Sequence, residues 1–505
     1  MLLKGVTAAL ALWAAAAMAG DSSPSGATKK ACKKLETAVP GLVSYPLALD
    51  YHVETKSYWS TALWELKPSC LVLPRSAEDV AAAVRVLKGF SDVQFAVKSG
   101  GHDPNPRHAS IEGGVLISMK DLSGTTYDED KGLAYVKPGG EWNDVVGALE
   151  PYGVTLVGGR LGLVGVGGYL LQGGISFLSS QYGLAADSIV GWETVTADGE
   201  IVYVDAEKDK ELAVAMRGSG SQFGIVTQFT IKAHPIGKVW GGTRLYAEDK
   251  GDELYAALHE FVPANADDPK EAIIFTDVIA AGGLRLYLLF FFYDGPEPPT
   301  TGPFAKFLEI DSTVSTTKTQ SYAELLKSNG QSAELLNARV SFRTFTIPHV
   351  PSAPHMYAEI TDKFSSLLEK FLLNPLRLTS QCSVDFQPFP GIIGKHSEAA
   401  GGNAMGISGD DPDRILLEIQ CSWASRFDDE LVYGISEELT EWLEVKVPEW
   451  TRGQHEDLYL PFLMNDAAGS QNVTGTYRDY AKFKALQEEA DPDGFFRLRG
   501  GGYTY

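Results

Sequence analysis

Apolar and polar residues fall into short periodic blocks along the chain, and the blocks lengthen partway through. Between residues 66 and 237 they are brief. Residues 71–73, 93–97, 115–119 and 134–136 are apolar runs of strand length, whereas 77–87 and 141–149 carry apolar positions at helical spacing. Residues 201–204 alternate after the Asp198-Gly199 turn and predict a hairpin arm, and 225–231 predict a further strand. After Pro235 longer aliphatic and aromatic runs predict strands at 271–278, 284–293, 378–386 and 415–423, with helix-like stretches at 252–261, 321–326 and 356–373. Pro296, Pro298, Pro299 and Pro303 break the chain between them. The pattern predicts an α+β fold: an irregular mixed unit followed by a sheet with helices on one face. Residues 20–65 read as a leader with a short helix at 31–38. From about His455 the chain is expected to return to the first unit.

Glycine changes this picture most. It occupies positions 158, 159, 162, 165, 167, 168, 173 and 174, a density that forfeits backbone entropy and leaves little to pack. Such a stretch makes sense where backbone approaches a ligand and turns its N–H groups toward an anion. Lys98-Ser-Gly-Gly-His102 lies upstream at the end of one strand, and Arg217-Gly-Ser-Gly-Ser-Gln-Phe-Gly224 lies downstream at the start of another. Three glycine turns at strand ends point to a long phosphate-bearing cofactor. The simpler nucleotide motifs are absent. Gly165 and Gly167 are followed by Leu170, so the spacing is not that of a Rossmann fingerprint, and Gly174 stands where a P-loop needs lysine.

Six motifs in one succession then identify a family resemblance. They are Ser99-Gly-Gly-His102, Val164-Gly-Val-Gly-Gly168, Gly173-Gly-Ile-Ser-Phe177, Tyr182-Gly-Leu-Ala-Ala-Asp187, Thr196-Ala-Asp-Gly199 and Arg217-Gly-Ser-Gly-Ser-Gln-Phe-Gly-Ile-Val-Thr227. Together they resemble the FAD-linked oxidases of the vanillyl-alcohol oxidase and p-cresol methylhydroxylase type, in the berberine-bridge-enzyme-like branch. The resemblance implies a two-subdomain FAD-binding fold of p-cresol methylhydroxylase type with a separate antiparallel-sheet substrate domain. The expected borders are 66–237 for the FAD-binding domain, 238–454 for the substrate domain and 455–505 for the returning segment. It implies FAD held along Ser99, Gly100, Gly101, Gly158, Gly159, Val164, Gly165, Gly167, Gly168, Gly173, Gly174, Gly224, Ile225 and Asn465.

The resemblance also carries chemistry. The histidine of Ser-Gly-Gly-His bears the flavin 8α-methyl bond in this family, which implies covalent FAD through His102. Bicovalent members add a cysteine three residues before Val-Gly-Val-Gly-Gly; Leu161 stands there, so one bond only is expected. Val164 matches the position that admits oxygen to the flavin. Four candidates for substrate chemistry remain open: Glu418, Gln420, Tyr459 and Asp466. Glu418 and Gln420 share one strand face in Ile415-Leu-Leu-Glu-Ile-Gln-Cys-Ser-Trp423, similar to the strand bearing the carboxylate of the branch's namesake. A solvent-facing glutamate on an edge strand is the alternative. Many relatives carry Tyr-x-Asn-Tyr near the C-terminus; here Leu463-Met-Asn-Asp466 keeps Asn465 but loses both tyrosines, leaving Tyr459 and Asp466 as substitutes. Gly402-Asn-Ala-Met-Gly406 and Met464-Asn-Asp-Ala467 resemble the fungal FAD-linked oxidoreductases that tailor secondary metabolites. No zincin pair follows His455, and neither a G-x-S-x-G elbow nor a Cys/His metal set occurs.

Composition narrows partners and compartment. The 505 residues exceed one ordinary core, and a net charge of −22 repels nucleic acid and anionic lipid. Met-Leu-Leu-Lys, an apolar run at 6–17 and Ala17-Met-Ala19 read as a secretory signal at 1–19. No later run is long and apolar enough to span a bilayer. Among four cysteines, Cys32–Cys70 would tie down the N-terminal segment, while Cys382 and Cys421 either pair or stay as buried thiols. Asn472-Val-Thr474 is the one glycosylation sequon. The expected function is a secreted oxidase that takes hydride from a small organic substrate and returns electrons to O2. A carbohydrate oxidase and a non-catalytic flavin-bearing binding protein are the alternatives, and the oligomeric state stays open.

Overall fold

In the computed structural model, which describes residues 25–334, 337–377, 379–453 and 458–505, the strands assemble into three larger sheets and a two-stranded ribbon of Val154–Thr155 with His234–Pro235. The signal reading at 1–19, the start of the strand expected at 378 and His455 lie outside the described residues. The first sheet runs in the order Val43–Ser44, Cys70–Val72, Val115–Ser118, Phe95–Lys98, with its last three strands parallel. Helix Ala77–Lys88 covers it. Ser76 and Asp79 close a capping box at its start, and Val80, Ala81, Ala83, Val84 and Leu87 are buried beneath it.

The second sheet is antiparallel, in the order Thr125–Asp128, Leu133–Val136, Ile225–Lys232, Ile189–Val195, Ile201–Asp205. The third has eight strands, all antiparallel. Its path is Val314–Ser315, Val239–Ala247, Leu284–Tyr293, Glu271–Ala280, Gln381–Phe389, Arg414–Trp423, Arg339–Pro348, and Lys318–Gln320 pairs beside it on Val239–Ala247. The period of two divides this large sheet sharply. Ile273, Phe275, Leu289, Phe291, Val384, Phe386, Leu417 and Ile419 pack into one core with helices Gly251–Ala264, Met356–Leu372 and Asp429–Trp450. Their alternating neighbours, Ile274, Thr276, Phe290, Ser383, Asp385, Glu418 and Gln420, turn the other way and line a cavity.

Most predicted elements recur within a residue or two. Two long ones do not come from the pattern. Arg339–Pro348 is buried at every position, yet its sequence interleaves Arg339, Ser341, Arg343, Thr344 and Thr346 with apolar residues. The arginines and threonines among them are satisfied by distant partners, Arg339 by Asp429 and Glu65, Arg343 by Thr440, Thr344 by the carbonyl of Leu417 and Thr346 by that of Pro461. Helix Asp429–Trp450 has a charge-rich sequence with Pro448 inside it, and helix periodicity there is weak.

The segment read as a leader is a built part of the fold. Helix Gly26–Ala38 lies against Ala77–Lys88, Val43–Ser44 adds a strand to the first sheet, and Cys32–Cys70 ties the two together. Cys382 and Cys421 also form a disulfide; they face each other directly across neighbouring strands. At the other end of the chain, Phe495 and Phe496 pack with Phe95, and the Arg499 guanidinium donates to the carbonyls of Val93 and Leu87. Among the described residues no helix is long and apolar enough to cross a membrane.

Candidate active site

The glycine loops form one wall of a cavity of about 380 Å³, and the free face of the large sheet forms the opposite wall. The loop wall is shaped by backbone packed on backbone. A Cβ at Gly165 would stand 2.3 Å from the Gly100 nitrogen, and one at Gly100 would stand 2.6 Å from the Gly165 Cα. The Ser99 hydroxyl fastens this contact, donating to the Pro138 carbonyl at 2.6 Å and accepting from the Gly167 N–H at 3.1 Å. At Gly168 the situation reverses: a Cβ would meet nothing within 4 Å, and the residue fronts the cavity. Its bareness is therefore not demanded by protein packing. Gly101 and Gly224 adopt φ of +77° and +137°, conformations that side chains disfavour.

Of the residues singled out from sequence, Ser99, Gly100, Gly101, His102, Gly159, Val164, Gly165, Gly167, Gly168, Gly224, Ile225, Glu418, Gln420, Asn465 and Asp466 line the cavity, as does Leu161. Gly158, Gly173 and Gly174 do not. Gly158 backs onto the Trp142 ring, where a Cβ would come within 2.4 Å, and the Gly174 N–H donates to Asn465 Oδ1 at 2.9 Å. Asn465 Nδ2 donates in turn to the Tyr169 carbonyl at 3.2 Å, so this asparagine staples the C-terminal segment to the glycine stretch. Tyr459 also falls outside the cavity. Its hydroxyl donates to the Met405 carbonyl and accepts the Arg478 N–H at 3.0 Å, so both of its hydrogen bonds run to protein groups outside the cavity lining.

Glu418 is not a solvent-facing edge residue. Its strand lies between Gln381–Phe389 and Arg339–Pro348, and its carboxyl opens onto the cavity with protein all around. Burial, then the charges of Asp466 and Asp385, push that carboxyl well above the usual carboxylate range, against a smaller pull from Arg160. Asp385 sits directly opposite Glu418 across the strand pair. Burial lifts its own pKa to about 7, while the hydroxyls of Thr276 and Ser383 draw it back, and its Oδ1 has no hydrogen-bond partner. Asp466 is raised by burial as well; it accepts from Gln387 Nε2 at 2.9 Å, and the Gln387 oxygen accepts from Arg160. The charge on Asp466 raises both of the other carboxyls, so the protonation of one bears on that of its neighbours.

His102 faces this cluster from the loop wall. Burial depresses its pKa to about 4, so the imidazole is neutral at neutral pH, and its Nδ1 is buried without a hydrogen bond. The Trp59 indole stacks on it with ring centroids 4.4 Å apart and planes 12° from parallel. Sequence reading passed over Trp59, Arg160 and Asp385. Asp385 had a usable signal, because Ser383, Asp385 and Gln387 alternate with Cys382, Val384 and Phe386 in a predicted strand. Trp59 had none, since nothing local links it to a histidine 43 positions on.

Comparison with known proteins places this geometry. A family model described as an FAD binding domain matches residues 68–205. The chain is 35% identical over 501 residues to an FAD-linked oxidoreductase of Arthroderma benhamiae, covering 97% of this chain and 98% of the relative. It is 31% identical over 484 residues to the FAD-dependent monooxygenase sdcF of Emericella nidulans, covering 94% and 97%. The fold is similar to that of 6-hydroxy-D-nicotine oxidase from Arthrobacter nicotinovorans, with a TM-score of 0.72, 21% identity, and 91% and 97% of the two chains covered.

Proposed function

From the premise that the chain belongs to the FAD-linked oxidoreductases of the vanillyl-alcohol-oxidase, berberine-bridge-enzyme-like family, we propose that it oxidises an alcohol or amine carbon in this cavity. On this reading residues 66–237 and 455–505 hold the cofactor, and residues 238–454 hold the substrate. The cofactor is bound covalently and once, through His102, because Leu161 offers no second nucleophile. Bound FAD supplies the hydride acceptor, and O2 takes its electrons back as hydrogen peroxide.

The residues fit that cofactor on two counts. The bare, open flank of Gly168 leaves room for a ligand against the backbone, and the unpartnered His102 Nδ1 belongs to a neutral ring at the cavity wall. Single attachment follows from the neighbouring side chains, with Leu161 and Val164 both lining the cavity near the loop.

The single observation that carries the catalytic reading is Glu418 on the sheet wall, opposite the glycine wall and paired with Asp385. In its ionised form Glu418 removes the O–H or N–H proton of the substrate as the neighbouring C–H leaves as hydride. Asp385 tunes that carboxyl by its charge, and Asp466, tied to Arg160 through Gln387, orients the far side of the cluster. Ile274, Val278, Leu288, Phe290 and Phe342 add apolar surface to this wall beside Thr276, Ser383 and Gln420, which suits a substrate with an apolar body and a polar reacting end. Two disulfides and the secretory-signal pattern at residues 1–19 support a secreted protein.

Anaerobic addition of aromatic alcohols, amines and sugars, followed by air, tests the reading. Bleaching of the flavin by an apolar-bodied alcohol or amine, with peroxide formed on reoxidation, is the expected result. Bleaching without reoxidation in air would make the protein a dehydrogenase, and bleaching by sugars alone would favour the carbohydrate reading.

A further inference from the structure

The N-terminal segment supplies a side chain to the cofactor wall that neither the motifs nor the family match at 68–205 includes. Trp59 stacks on one face of His102 at 4.4 Å between ring centroids, and Phe342 of the large sheet packs on Trp59 at 5.1 Å and reaches the edge of the imidazole at 6.1 Å. The stack is held at both ends of a short strap. On one side the Trp59 backbone N–H donates to the Gly101 carbonyl at 3.1 Å, next to His102 itself. On the other, the Ser60 hydroxyl donates to the Val340 carbonyl and accepts the Val340 N–H at 2.9 Å, and the Thr61 N–H donates to the Ala338 carbonyl.

Below the strap is a buried ion pair. Lys98, the residue before the Ser-Gly-Gly-His loop, donates from Nζ to the Glu54 carboxylate and to the Ser57 hydroxyl, and lies 4.4 Å from the centroid of the Tyr58 ring. Both charges are almost wholly enclosed, with side-chain exposures of 2% and 3%. Breaking such a pair strands a charge, so the geometry it fixes is rigid. Residues 54–61 therefore brace the His102 ring, through Trp59, from outside its own loop.

We propose that Trp59 is a positioning residue for the covalent bond between His102 and FAD, holding the imidazole plane and keeping water from it by aromatic stacking. The inference rests on the proposed histidyl attachment. In that step one C–H of the flavin 8α-methyl carbon and the imidazole N–H are lost and a C–N bond forms. The two protons and two electrons leave on O2 as hydrogen peroxide, so atoms and electrons balance. The histidine attacks as the neutral ring, the form its burial enforces. A stacked indole, itself backed by Phe342, costs this ring its rotational freedom before the reaction and covers one of its faces with aromatic surface.

The test uses full-length protein made in a riboflavin-starved host and then given FAD in air. Wild type, Trp59→Phe and Trp59→Leu are compared by the time course of acid-precipitable flavin, with total binding read separately from flavin fluorescence. Phenylalanine should restore nearly the wild-type rate, whereas leucine, which fills space without an aromatic face, should slow attachment about fivefold, the factor expected for one lost ring–ring contact. Total FAD binding should be the same in all three. Equal attachment rates for the phenylalanine and leucine variants would overturn the inference, as would loss of FAD binding in both, which would make Trp59 merely architectural. Wild-type protein without acid-precipitable flavin would instead overturn the histidyl bond itself, and the inference with it.

Discussion

The two walls of the cavity are built by opposite means. The glycine wall is backbone pressed on backbone, as where Gly100 and Gly165 leave no room for a Cβ on either. The sheet wall is side chains delivered by register, as where Asp385 meets Glu418 across two antiparallel strands. The first wall needs particular residue types at fixed positions and tolerates almost nothing else. The second needs only strand phase, so its chemistry can change residue by residue while the sheet stays intact. A cofactor common to a family suits the first, and a substrate that differs between members suits the second.

Removing the proposed base should have the largest effect. Glu418→Gln keeps the shape of the sheet wall, so flavin content should be unchanged while anaerobic flavin reduction by substrate slows by about 10²–10⁴-fold. Equal reduction rates would move the base elsewhere on the sheet wall, and Asp466 would be the next residue to replace.

A pair of glycine substitutions sharpens the contrast on the other wall. Gly165→Ala forces a Cβ onto the Gly100 nitrogen and should destabilise the protein by about 1–3 kcal/mol, with most of its flavin lost. Gly168→Ala meets no protein atom, so thermal unfolding of the flavin-free protein should not change while FAD binding weakens. If both variants bind FAD normally, the glycine wall is structural and the cofactor lies elsewhere.

The sequence disclosed these walls unequally. Gly100, Gly101, Gly165, Gly167 and Gly168 are legible because close approach of backbone leaves a compositional mark that local reading detects. Glu418 and Gln420 were legible as one strand face, and so was the alternation of the long strands. The partnership of Glu418 with Asp385 was not, since it depends on which strands pair and in what register, over 33 residues of separation. Arg339–Pro348 stayed hidden for a related reason: its buried arginines and threonines are satisfied by residues far away in sequence, such as Asp429 and Pro461. Trp59 and the Glu54–Lys98 pair were lost in a stretch with no periodicity, read as a leader when it is part of the site.

A smaller effect concerns the tuning of the sheet wall. Asp385 carries negative charge that holds the Glu418 proton in place, so Asp385→Asn should lower the Glu418 pKa. The rising limb of the pH–rate profile, where Glu418 becomes ionised, should then move to lower pH, with little change in the plateau. An unmoved or upward-shifted limb would mean that the two carboxyls do not interact. The smallest effect is expected at Tyr459. Tyr459→Phe removes a hydroxyl bonded to Met405 and Arg478 away from the cavity, so thermal unfolding should register a loss of about 1 kcal/mol while kcat stays close to that of the wild type.

The central claim is that His102 carries the flavin and that the glycine wall is therefore the cofactor's. Peptide mapping of denatured, proteolysed protein by mass spectrometry tests it most directly. The account predicts one flavin-bearing peptide, the one containing His102, with its mass raised by FAD less two hydrogens, and the same peptide unmodified in His102→Ala protein that still binds FAD before denaturation. Flavin recovered entirely free in the supernatant, or found on any other peptide, would contradict it.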